Sequence, residues 1–191
     1  MKIKYIYIIG YLMFVSCKSK VETSQDFMKW FTSQDNPLMQ KQEMAEFQYS
    51  ATVLPPAYFQ AKNILMKDMS QQEDSSIYIK LEVKILGNST DPLNYKTTYN
   101  GESEQRLNYL ISEIQSDAFL ITDKDTFIAA LHHFERTYHS GNSIVVMFTY
   151  EQKFDPHIPF KFIYRDNLFG SGPIVFDFDK KSLESVPVIL K

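Results

Sequence analysis

The side chains of this 191-residue chain whose types and spacing could do chemistry are a group of histidines, a pair of carboxylates and one glycine-rich turn. His132-His133-Phe134-Glu135-Arg136, with His139 beyond, is the densest group. On a helix, His132, Glu135, Arg136 and His139 share one face. Imidazoles beside a carboxylate can hold zinc, with the glutamate acting as a base. On a strand, His133 and Glu135 face one way and His132 and Arg136 the other, and the group splits. The H-E-x-x-H order of zinc peptidases is absent. Polar residues flanking a core Phe134 are the plainer explanation. The candidate metal ligands are therefore His132, His133, Glu135 and His139.

Asp177 and Asp179 lie two apart on an expected strand, which sets their carboxylates about 7 Å apart on one face. Glycosidases use paired carboxylates at such separations, and Asp166 could join them around a cation. The alternation with Phe176 and Phe178 also describes an ordinary strand with one buried face. Gly170-Ser171-Gly172-Pro173 lacks the lysine of a phosphate loop, and its proline removes an amide donor, so it reads as a turn. No G-x-S-x-G elbow occurs. Asp155-Pro156-His157-Ile158-Pro159 is a stiff loop in which the prolines hold His157 extended; it is a candidate recognition loop or a plain turn.

The elements that must position these residues are mostly strands. Phe47, Tyr49, Ala51 and Val53 alternate with polar residues, and Ile77, Ile79, Leu81, Val83 and Ile85 give the cleanest period of two in the chain. Residues 144–150, 160–164 and 174–178 continue the β pattern, and 186–190 reads as a closing edge strand, because Pro187 cannot donate to a central ladder. Residues 118–122 and 126–134 form either a hairpin, which is the favoured reading, or a strand followed by a helix. Periodicity alone does not decide between them.

Helical spacing places Phe27, Trp30 and Phe31 on one stripe over 24–31. That stripe either packs on the domain or makes Trp30 part of a partner-facing or membrane-surface helix. A helix over 56–67 follows Pro55-Pro56, and 102–115 is expected as a short helical turn leading into a strand. The expected fold is mostly β, an antiparallel sandwich of Ig-like or transthyretin-like pattern with one to three short helices near the N-terminal half.

Composition narrows the function classes. The net charge of −3 gives no basic footprint, which argues against a nucleic-acid partner. Aromatic residues reach 15%, enough to furnish both a core and a contact face. Cys17 is the only cysteine, so no intramolecular disulfide can form.

The N-terminus carries the most specific signal. Lys2 and Lys4 precede Tyr5–Val15, a run with no charged residue that is too short for a comfortable membrane span. Phe14-Val15-Ser16-Cys17 then resembles the lipobox of bacterial lipoproteins, with Phe14 where leucine is usual. That resemblance implies cleavage before Cys17, a diacylglyceryl group on its sulfur and an acyl chain on its nitrogen. Lys18 after the cysteine implies sorting to the outer membrane, periplasmic face. The organisation that follows is a signal peptide over 1–16, a lipid-anchored tether over 17–23 and one β-rich globular unit over 24–191.

The expected role is a non-enzymatic binding or adaptor lipoprotein of the envelope, without a cofactor, recognising a protein or glycan. The alternative is an envelope hydrolase or metal-dependent enzyme built on His132, His133, Glu135 and His139.

Overall fold

The computed structural model describes residues 20–62, 76–135, 142–151 and 158–189. In chain order the elements are β1 Lys20–Val21, α1 Ser24–Phe31, β2 Met39–Met44, β3 Phe47–Leu54, α2 Pro56–Ala61, β4 Ile77–Ile85, α3 Glu102–Ser112, β5 Ala118–Ile121, β6 Thr126–Ile128, β7 Leu131–Glu135, β8 Ser143–Tyr150, β9 Phe160–Asp166, β10 Gly172–Phe178, α4 Lys180–Glu184 and β11 Val188–Ile189. The chain is mostly β, as its patterning implies.

Two antiparallel sheets dominate. One has the order β2-β3-β4-β8-β7 and the other β10-β9-β5-β6. The clean alternation of β4 becomes a strict alternation of buried and half-buried side chains, with Ile77, Ile79, Leu81, Val83 and Ile85 all inside. Rings from the two sheets meet directly. Phe148 of β8 lies 5.8 Å from Phe162 of β9, and Tyr49 of β3 lies 6.4 Å from Tyr164 of β9. Gln42 of β2 donates to the Val175 carbonyl of β10 at 3.4 Å, linking an edge strand of each sheet.

The favoured hairpin is present: β5 pairs antiparallel with β6 through Phe119–Ile128, Leu120–Phe127 and Ile121–Thr126. The stretch read as its second strand does not stay in one sheet. It breaks at Ala129 and Ala130 and continues as β7, which pairs with β8 in the other sheet. Buried Ala129 marks the crossing point.

Several expectations need correction. Residues 102–112 form a full helix rather than a turn leading into a strand, and a 3-10 turn over Ile114–Asp117 follows. The helical spacing wins because Leu110 and Ile114 are buried while Ile111 is exposed. Helices are also not confined to the N-terminal half, since α4 lies near the C-terminus, capped by Asp179, whose side chain accepts from the Ser182 amide.

The closing strand β11 joins neither large sheet. It pairs in parallel with β1, so Lys20–Val21, inside the stretch read as a tether, are tied to Val188–Ile189. The helix expected over 56–67 spans Pro56–Ala61 with Lys62 as its C-cap, and 63–67 lie outside the described residues. Strand β2 has no sequence counterpart, because its residues Met-Gln-Lys-Gln-Glu-Met carry no apolar alternation; its six backbone pairings with β3 make it a strand.

Candidate functional site

The turns β2–β3 and β9–β10 and the long connection between β4 and α3 gather at one end of the sheets. Phe47 pairs with Ile85, and the Leu86 amide donates to the Glu46 carbonyl at 2.8 Å, which fixes that end of the larger sheet. At the same end, Asp166 closes β9 and is 3% exposed.

The Asp166 carboxylate is saturated with donors. Its Oδ2 accepts from the Tyr49 hydroxyl at 2.7 Å and the Ser171 amide at 3.0 Å. Its Oδ1 accepts from the Leu168 and Phe169 amides, each at 3.1 Å, and from the Tyr164 hydroxyl at 3.4 Å. A buried carboxylate is costly unless its lone pairs are filled in this way. The local sequence permits it, since an aspartate readily bonds to amides just ahead of it. Gly170 and Gly172, with φ of 76° and 81°, supply backbone conformations that other residues rarely adopt.

Proton bookkeeping decides what this cluster can do. Tyr49 has one phenolic proton, and it points to Asp166. Ser171 Oγ lies 2.8 Å from the same phenolic oxygen, so the serine hydroxyl donates to Tyr49. Burial, reinforced by the nearby Asp166 charge, pushes Tyr49 well above the ordinary phenol range, and burial does the same to Tyr164. Ser171 therefore faces a phenol that holds its proton rather than a base that would take one. The arrangement grips a loop and does not activate a nucleophile.

The connection between β4 and α3 is fastened by Arg106 of α3. Its Nη1 donates to the carbonyls of Tyr95 (2.7 Å), Pro92 (3.2 Å) and Leu93 (3.3 Å), and its Nη2 pairs with Glu102. Its guanidinium also lies 5.3 Å from the centre of the Phe169 ring, which stacks on Phe47 at 4.2 Å. Glu46 accepts from the Tyr95 hydroxyl and from Lys96, and the Lys96 bond above all holds its carboxyl below the usual range. The Thr98 amide does the same for Glu102. Tyr99, bonded to Gln105, stands 53% exposed on this connection.

The residues singled out by sequence are not brought together here. Strand β7 turns His132 and Phe134 inward, half-buried, and His133 and Glu135 outward. Both ring nitrogens of His132 face acceptors. Nδ1 lies 3.1 Å from Gln115 Oε1, and Nε2 lies 3.0 Å and 3.2 Å from the Ile111 and Leu110 carbonyls in the last turn of α3. Among the described residues no group of three His, Cys, Asp or Glu side chains converges. His139, His157 and Cys17 lie outside the described residues.

Trp30 is half-buried on α1, with its ring 5.6 Å from that of buried Phe27. Asp177 faces outward and pairs with Lys161 at 3.5 Å, whereas Asp179 caps α4. The two carboxylates serve separate structural ends. Asp166 joins neither of them.

No family model, curated protein or solved structure matches the chain. What bears on this end of the fold is its geometry. That geometry offers a firmly held, aromatic-bearing end made from three connections. Tyr49, Arg106, Glu46 and Phe169 build it, and sequence reasoning missed all four. Asp166 followed closely by Gly-Ser-Gly was a usable signal for the turn, but nothing marked its partner Tyr49, 117 residues away.

Proposed function

We propose that the chain is an envelope lipoprotein, held through lipid on Cys17, that works by binding rather than by catalysis. Its recognition surface is the end built on Asp166, where residues 95–101 and 168–172 meet the β2–β3 turn. The observation that carries the binding part of this reading is the buried Asp166 carboxylate, which ties three loop amides to the hydroxyls of Tyr49 and Tyr164 on two strands. A loop held this tightly loses little freedom when a partner docks, which favours affinity. Exposed Tyr99 and half-buried Phe169 supply the aromatic contact area typical of such surfaces.

We read the two large sheets as the layers of an antiparallel sandwich, a scaffold that commonly carries binding loops at its ends. The ring contacts between the sheets support that reading. The protein or glycan partner would be met at the outer membrane, on its periplasmic face. The hydrolase alternative would require His132 to release Gln115 and the α3 carbonyls, and no observation favours it.

A photo-crosslinking amino acid in place of Tyr99, in living cells, tests the binding surface. One discrete adduct from that position, absent from an Ile128 control, is expected. Equal labelling from both positions would overturn the assignment of the surface.

A further inference from the structure

The end of the fold opposite the Asp166 loop carries a different kind of surface. We infer that this end rests on the lipid bilayer, with a groove between α2, α4 and β11 facing the acyl–headgroup boundary. The inference depends on the lipid-anchor reading of Cys17 and adds to it an orientation.

Reach is the first argument. Cys17 is three residues from Lys20, and three residues extend at most about 10 Å. Lys20 does not hang freely, because it pairs with Val188 and Val21 pairs with Ile189. A lipid on Cys17 would thus hold Lys20 within about 10 Å of the membrane, with Val188 one strand spacing, about 5 Å, beside it.

The surface met there is apolar. The groove encloses about 380 Å³ and is lined mainly by Pro55, Pro56, Ala57, Leu183, Val186 and Val188, with Gln60 and Glu184 as its polar members. Val188 is 50% exposed at its rim. An isolated apolar groove is an ordinary feature, but one placed within a short tether of an acyl anchor has an obvious hydrocarbon neighbour. Exposed Lys20 on β1, Lys62 at the end of α2, and Lys180 and Lys181 on α4 stand on the neighbouring elements, with long stems suited to the headgroup layer. Exposed Glu22 offsets one of these charges and Glu184 pairs with Lys180 at 3.6 Å, which leaves a small positive excess, too little to replace apolar contact as the main attraction.

Strand β4 supplies the axis. Pro55 and Pro56 directly follow Leu54, which pairs with Tyr78 at the start of β4, whereas Leu86 follows its end. The nine residues of β4 separate the two ends by about 26 Å. Apposition of the groove would therefore hold the Asp166 loop away from the bilayer.

The test uses the full chain, processed by its host, extracted from membranes and reconstituted in vesicles of phosphatidylethanolamine and phosphatidylglycerol. With Cys17 occupied by lipid, Val188→Cys and Leu86→Cys each provide one free thiol for a nitroxide label. Gln60→Cys, on the exposed side of α2, is a second probe of the groove should the Val188 variant fold poorly. The expected result is preferential collision with oxygen at 188 and 60, and preferential collision with a water-soluble nickel complex at 86, unchanged by high salt. Intact mass on the same samples separates the two claims. Lipid mass with all three sites equally open to nickel would overturn the apposition and leave the anchor standing. Absence of lipid mass would overturn both.

Discussion

Replacing Asp166 with alanine is expected to cost about 3–5 kcal/mol of folding stability. The magnitude follows from what the carboxylate holds. Tyr49 and Tyr164 are 0% and 1% exposed, and each hydroxyl would lose a bond to a charged acceptor worth about 1.5–3 kcal/mol, Tyr49 keeping only Ser171 Oγ at 2.8 Å. The amides of Leu168, Phe169 and Ser171 belong to half-buried residues that water can reach once the loop relaxes, so they add less. Asp166→Asn keeps the shape and one acceptor oxygen but turns an amide nitrogen toward donors, and is expected to cost about 1–3 kcal/mol. Urea unfolding followed by far-ultraviolet circular dichroism reads both values, with an unchanged slope showing that the midpoint shift is a stability change. An alanine variant within about 1 kcal/mol of wild type, or an asparagine variant indistinguishable from it, would refute the claim that this carboxylate organises the loop.

Three further outcomes follow from the same packing. Tyr150 is fully buried and its hydroxyl has no partner among the described residues, so Tyr150→Phe should be neutral or stabilising by up to about 1 kcal/mol; Tyr49→Phe should instead destabilise by about 1–3 kcal/mol, both measured by thermal and urea melts. Burial raises the phenols of Tyr49, Tyr150 and Tyr164 above the unfolded value near 10. The fold then keeps protons that the unfolded chain loses, so stability is whole below about pH 10 and falls above it by about 1.4 kcal/mol per pH unit for each tyrosine. Tyrosinate absorbance should show these phenols ionising only together with unfolding, and a smooth titration of every tyrosine in a folded chain would contradict this. His132→Ala should cost about 1–2 kcal/mol by uncovering the C-terminal carbonyls of α3, whereas His133→Ala on the outward face should stay within about 0.5 kcal/mol, as calorimetry can check.

Legibility in the sequence tracked how local each cause is. Strand β4 was readable because one buried face forces strict alternation, and α1 because Phe27 and Phe31 fall on one side of a short helix. Strand β2 was not readable, since its pairing with β3 rather than its side chains makes it a strand. Helix α4 is not legible, because only five residues form it and its cap, Asp179, also fits the spacing of a strand partner to Asp177. The 126–135 stretch was half legible: strand character was visible, but the change of sheet at Ala129 depends on which neighbour each half finds.

The candidate site was the least legible part. The residue type of Asp166 suggests a cation ligand, whereas its neighbours are hydroxyls and amides drawn from β3, β9 and the turn beyond. No spacing rule joins Tyr49 to a carboxylate so distant in sequence. Arg106 is similarly defined by three carbonyls on a connection that carries no periodic signal.

We propose above all that lipid on Cys17 holds this chain on a membrane. Intact mass of the membrane-extracted protein, set beside a Cys17→Ser variant and with both fractionated, tests it most directly. The account requires loss of residues 1–16 and a lipid-sized gain in mass for the wild type, with the variant lacking both and leaving the membrane fraction. A full-length unmodified chain, or a wild type as soluble as the variant, would contradict it.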